Sequence, residues 1–243
     1  MIEKSERSRY LFYFCLMKPH HIILILTLCL ASCSQPKKET SDNDLKLVAE
    51  LGFDADLMSD IRQHTDSAFR KAEGSPDAVV TFKDSSNYVS FRKKNVNGLS
   101  FGAAQGKSLS IVNDLHDKFK SKGYIIYVSE GNFGYSPDEV TVLKTDDMFD
   151  VLRFEGTNGI NYDIFTEDVI EKLKGWHDQF GLDIFAASFD LVEARYIRMP
   201  PDLKAHVDET YAFCPDVVDQ GTGSVEALLE EVKKSKQLYL WWD

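Results

Sequence analysis

The chain has 243 residues, 43% of them hydrophobic and 28% charged, with a formal net charge of −11. That is enough apolar material for a sizeable core, and the acidic balance argues against holding nucleic acid through its phosphates. It argues equally against electrostatic adhesion to anionic headgroups, so a membrane link has to be apolar or covalent.

In chain order the first feature is "MKPHHIILILTLCLASCSQ", residues 17–35. Lys18, His20 and His21 form a short n-region, and residues 22–30 are a nine-residue apolar run. That run is too short to span a bilayer as a helix and suits the h-region of a secretory signal. It ends in Leu30-Ala31-Ser32-Cys33, which resembles the lipobox of bacterial lipoproteins. The resemblance implies cleavage before Cys33 and a diacylglyceryl thioether on its sulfur. Residues 1–32 are therefore expected to be a lipoprotein signal peptide, with Met17 as an alternative start to Met1, and residues 33–43 a flexible polar tether. Residues 1–32 hold four Lys/Arg and two Asp/Glu, so their removal takes the net charge from −11 to −13. Ser34, next to the cysteine, favours the outer membrane. Cys15 and Cys29 leave with the signal and Cys33 carries lipid, so only Cys214 remains and no internal disulfide is expected.

Residues 45–72 have helical spacing through Leu47, Leu51, Leu57, Ile61 and Phe69, interrupted at Gly52. "GSPD" (74–77) ends that helix, and residues 78–82 and 88–92 read as a hairpin. The Gly- and Asn-rich stretch 95–108 reads as a boundary between an N-terminal α+β subdomain (44–107) and a C-terminal α/β domain (108–243). Ser108 is placed to cap a helix over Ile111, Val112, Leu115 and Phe119. Strands follow at 124–128 and 140–144, then a short helix with Phe149 and Leu152. Val169, Leu173, Trp176 and Phe180 mark one helix face closed by Gly181. Strands are expected at 183–189 and 191–197, a helix after Pro200-Pro201, another capped by Ser224, and a last strand in "QLYLWWD". Interleaved strands and helices indicate an α/β (α+β) fold, a mixed β-sheet flanked by helices.

"GWHDQFGLDIFAASFDLVEARYIRMP", "YAFCPDVVDQGTGSVEALLEEV" and the terminal "LYLWWD" resemble the bacterial family Domain of Unknown Function 4253. The resemblance covers about residues 135–243, and the family implies no activity, cofactor or catalytic residue.

The loop "FCPDVVDQGTGS" (213–224) gathers Cys214, Asp216, Asp219 and Gln220 and is the candidate functional loop. Cys214 sits at a helix C-terminus beside Asp216, where dipole and charge disfavour a thiolate, so it reads as a packed residue. Gly221 and Gly223 are the positions suited to positive φ, and Asp219 and Ser224 to capping the next helix. His206 and Glu209, at i and i+3, form with Asp216 and Asp219 a weak candidate set for a divalent cation. One tryptophan of the terminal pair is expected to face the core. No catalytic set emerges. The expectation is a lipid-anchored cell-envelope protein, attached through Cys33, with a non-enzymatic binding or interaction domain and no cofactor. An immunity-type role against a basic protein partner is one version of it. The alternative is a metal-assisted envelope hydrolase using His206, Glu209, Asp216 and Asp219.

Overall fold

Side-chain alternation along the strands sorts the core onto two faces of a sheet. The computed structural model describes residues 39–75, 80–84, 87–90, 96–132 and 134–243, with the side chains of 80–84 and 87–90 left out. The expected signal peptide, Cys33 and the first part of the tether lie outside these residues. Residues 38–243 form one compact unit, and none of the described helices is long and apolar enough to cross a membrane.

The elements are α1 (Asp42–Leu51), α2 (Ala55–Arg62), β1 (Arg70–Ala72), β2 (Val80–Asp84), β3 (Asn87–Ser90), β4 (Gly98–Ala103) and α3 (Ser108–Lys120). After them come β5 (Ile125–Glu130), β6 (Asp138–Leu143), α4 (Phe149–Glu155), α5 (Thr166–Phe180), β7 (Leu182–Ala187) and β8 (Leu191–Tyr196). The chain ends with α6 (Leu203–Phe213), α7 (Val225–Ser235) and β9 (Gln237–Trp241). Seven strands form one sheet in the order β1-β4-β6-β5-β7-β8-β9. Only the central pair β5–β7 is parallel, and the other neighbours run antiparallel. β2 and β3 pair as a separate antiparallel hairpin, as their spacing predicts. The fold is thus α+β, a mixed sheet flanked by helices. Cys214, the one cysteine among the described residues, is free.

The pleat explains the two cores. Val140 and Val142 point with Leu99, Phe101 and Ile126 toward α1, α2 and α3. Leu143 and Tyr127, on alternate positions, point with Ile184, Val192 and Leu240 toward the helices from α4 onward. On α5 the expected stripe of Val169, Leu173, Trp176 and Phe180 is fully inward, which is what a 3.6-residue period against a flat sheet requires.

Two expectations are corrected. The long helix over 45–72 is two helices followed by a strand. Gly52 closes α1 in the left-handed region at φ 68, and the Asp54 side chain accepts from the Asp56 and Leu57 amides to start α2. Beyond α2 the chain is pinned from a distance: buried Asp44 accepts from Arg62 Nη2 at 2.8 Å and from the Phe69 amide at 2.8 Å. Such contacts leave no trace in local periodicity. The stretch 95–108, expected as a boundary, holds β4, a buried strand in the same sheet as β5 to β9. The two glycines within β4, Gly98 and Gly102, are there for steric reasons. A Cβ on Gly98 would lie 2.9 Å from Ala72 Cβ and 3.0 Å from the Phe154 ring, so only glycine lets β1 and α4 close on β4. The expected partition at 107/108 therefore falls inside one continuous sheet.

Candidate functional site

Loop 213–224 joins α6 to α7. Pro215 starts it, and residues 217–222 take a wide π-helical turn in which the Gly223 amide donates to Val218 O, five residues back. Gly223 has φ 78 as expected, whereas Gly221 does not have positive φ. Ser224 Oγ accepts from the Ala227 amide and caps α7. Asp219 does not cap that helix. It accepts instead from the Tyr211 hydroxyl at 3.0 Å.

Cys214 and Asp216 are turned inward, while Asp219 and Gln220 are exposed. Asp216 is buried; its Oδ1 accepts from the Tyr162 hydroxyl at 2.6 Å and Gln220 Nε2 at 3.0 Å, and its Oδ2 from the Asp243 amide. Burial raises its pKa, but these three donors outweigh burial and hold it below the usual carboxylate range. Cys214 is fully buried, and its Sγ donates to Trp241 O at 3.1 Å and accepts from Trp241 N at 3.3 Å. It thereby stands in for a neighbouring strand at the end of β9. Burial pushes its thiol up to about 12, the reverse of what a nucleophile needs. Trp242 is the inward tryptophan, packed edge-on against Phe213.

The other metal candidates are spent elsewhere. His206 is buried among Trp176, Phe180 and Tyr196, with Nε2 2.8 Å from the Tyr196 hydroxyl. Desolvation lowers its pKa to about 4, so it is neutral. Glu209 takes Lys172 Nζ at 2.6 Å. Asp216 and Gln220 come together, while His206 and Glu209 bond to neither Asp216 nor Asp219. Among the described residues no three His, Cys, Asp or Glu side chains are grouped to hold a metal ion.

Among the described residues, two of the hollows have volumes of about 380 Å³ each. The first lies between α3 and the loop before α4, over Ile125, Phe149 and Leu182. At its rim His116 places Nε2 and Nδ1 each 2.9 Å from Asp183 and Asp117. Asp183 raises the His116 pKa, against burial and with help from Asp117. Asp183 also takes Lys120 and Arg195. Both imidazole nitrogens are occupied, so this ion network is closed on itself.

The second hollow is a groove on the α4 side of the sheet. Register aligns Arg70 of β1 with Ser100 of β4, Ser100 with Thr141 of β6, and Thr141 with Tyr127 of β5. Directly opposed residues share a face, so Arg70, Ser100, Thr141 and Tyr127 follow one another across four strands, the first three lining the groove and Tyr127 buried beside it. Ser100 and Thr141 are buried beneath the groove, and the Ser129 and Thr141 hydroxyls are 2.8 Å apart. At one end Glu139 accepts from Arg70 Nη2 at 2.7 Å. Glu155, the last residue of α4, is bonded by the Tyr127 hydroxyl. Burial pushes Glu155 up to about 7; the Tyr127 bond pulls it down and the Glu139 charge pushes it up. Four carboxyls, those of Glu73, Glu130, Glu139 and Glu155, line this groove, and a carboxyl raised by burial, as Glu155 is, is a pattern frequent at working sites. Among the described residues the groove's lining includes the apolar Ala72 and Phe154 and the charged Arg70, Lys71, Glu73, Glu130, Glu139 and Glu155.

Sequence reasoning missed every residue of this groove. The available signal was polar residues at alternate positions: Ser100 and Gly102, Tyr127 and Ser129, Glu139 and Thr141. What no local pattern supplies is the register that stacks them.

No curated protein and no solved structure matches the chain. Residues 139–243, from Glu139 in the groove to the terminal Asp243, match the family described as Domain of unknown function (DUF4253), the family that the C-terminal strings resemble.

Proposed function

We propose that the protein is a lipid-anchored component of the cell envelope, held at the outer membrane through Cys33, whose folded domain binds a ligand in the groove over Ser100 and Thr141. The observation that carries the binding reading is the in-register set of Arg70, Ser100 and Thr141 along the groove, with Glu139 and Glu155 in the same lining. Convergent polar groups are what orient a small molecule in its seat, and here most of the lining is polar. The anchor reading is supported by the apolar run 22–30 followed by "LASC".

Each half has its own test. Cys33→Ser should abolish metabolic labelling by fatty acid and either release the protein from the membrane fraction or block its processing. A processed Cys33→Ser protein that still sediments with membranes refutes the anchor. For the groove, small molecules extracted from the full-length protein purified out of its own membranes are compared by mass spectrometry with those from Arg70→Ala. A species depleted in the variant supports the reading, and identical extracts count against it.

A further inference from the structure

The seven-stranded sheet ends at β9, and among the described residues no strand pairs with its outer edge. Lys236 O and Trp242 N bond to the β8 side, whereas both backbone polar groups of Trp241 meet Cys214 Sγ. Antiparallel strands alternate in this way residue by residue, so Gln237, Tyr239 and Trp241 turn their amides and carbonyls outward. Cys214 occupies those of Trp241, and Ser235 Oγ accepts from the Gln237 amide. The Tyr239 amide and carbonyl and the Gln237 carbonyl are left open to another chain, which is the condition for strand addition.

A hollow of about 290 Å³ borders that edge, lined from the strands by Glu193, Gln237 and Tyr239 and from across it by Thr222 and Glu231. Its described lining holds these two carboxyls and no lysine or arginine. Glu193 stands opposite Tyr239, so the two share a face. Glu193 is half-buried, burial raises its pKa, and among the described residues it makes no hydrogen bond or ion pair. A cation arriving with an incoming strand would favour its charged form, and Tyr239, 42% exposed, offers its ring to the same cation. A second copy of the chain does not fit, because edge-to-edge pairing would bring the same carboxyls together on chains that each carry a net charge of −11. We propose that the outer edge of β9 takes an extended segment of a basic protein, paired antiparallel across Tyr239 with a lysine or arginine set against Glu193. The groove over Ser100 and Thr141 lies on the β1 side of the sheet, so the two readings fail separately.

The test is calorimetric titration of the detergent-solubilised full-length protein with three peptides. They are acetyl-Thr-Val-Lys-Val-Thr-amide, its counterpart with glutamate for lysine, and the lysine peptide N-methylated at the lysine amide. Valine and threonine favour an extended strand, and the N-methyl group removes the donor to Tyr239 O while keeping the charge. The lysine peptide should bind saturably with Kd below about 1 mM, and the other two about tenfold more weakly or not at all. Glu193→Gln, close in shape to the parent, should weaken the lysine peptide about tenfold. If that variant fails to fold, the three peptides on the parent still decide. No saturable binding of the lysine peptide, equal binding of the glutamate or N-methylated peptide, or an unchanged affinity in folded Glu193→Gln each overturns the proposal. So does a parent dimer in sedimentation that Tyr239→Pro makes monomeric, since proline there removes the outward amide without touching a bond to β8, and the occupant is then a second copy.

Discussion

Glu155 and His206 both sit in the fold in their uncharged forms at some cost, and they do so in opposite directions of pH. Glu155 has its pKa raised from 4.5 to about 7, mainly by burial. Between those values the folded chain binds more protons than the unfolded one, so stability falls as pH rises across that window. His206 has its pKa lowered from 6.5 to about 4, again mainly by burial. There the unfolded chain binds more protons, so stability is lost as pH falls from about 6.5 toward 4. The two windows overlap and their slopes oppose, each at most about 1.4 kcal/mol per pH unit. In the parent they largely cancel near pH 5 to 6. Glu155→Gln keeps an acceptor for the Tyr127 hydroxyl and removes one slope; relative to the parent it should gain about 2–3 kcal/mol at pH 8 and nothing near pH 4. His206→Gln keeps an acceptor for Tyr196 and should tilt the profile the other way, with its largest relative gain at low pH. Denaturant unfolding of the three proteins at intervals from pH 4 to 8 decides this. Parallel profiles would mean that neither group is buried uncharged.

At the scale of elements, the sequence was most informative where contacts are local. The α5 stripe, the Ser224 cap and the positive φ at Gly223 all follow from spacing or from one residue's own stereochemistry. It was least informative where one strand's meaning depends on another. β4 was hidden by its two glycines, whose reason is the approach of Ala72 and Phe154 to Gly98 and of Ser67 to Gly102 from elsewhere in the chain. The groove was hidden for the same reason, because hydroxyls become a row only through register. The elbow between α6 and α7 gives a contrast within a few residues. A Cβ on Gly223 would touch nothing within 4 Å, so its intolerance comes only from backbone at φ 78. Gly221 lacks positive φ, and a Cβ there would meet Asp216 O at an ordinary 3.5 Å. Gly223→Val should therefore cost more than about 1 kcal/mol, while Gly221→Ala stays within about 0.5 kcal/mol of the parent. Ser224→Ala should lose about 0.5–2 kcal/mol with the cap. Equal midpoints for Gly221→Ala and Gly223→Val would remove the backbone argument.

For the whole molecule the question is whether the two cores behave as one. They lie on opposite faces of one sheet, and its central strands β5, β6 and β7 each contribute side chains to both. A cavity on one face should therefore be felt on the other, since a strand cannot unpair for one core and stay paired for the other. The tryptophans supply a one-sided reporter: Trp176 and Trp242 belong to the core under α4 to α7, and Trp241 ends β9. Phe101 is fully buried in the opposite core, against Phe69 at 6.1 Å between centroids. Phe101→Ala should cost about 3–5 kcal/mol. If residues 38–243 unfold as one unit, its tryptophan fluorescence and far-ultraviolet circular dichroism should shift by the same amount and remain coincident. Should the fluorescence midpoint stay where the parent has it while the dichroism midpoint falls, residues before and after 107 unfold separately. In that event the continuous sheet is a docking surface between two subdomains, and the partition read from the glycine-rich stretch is the energetic boundary after all.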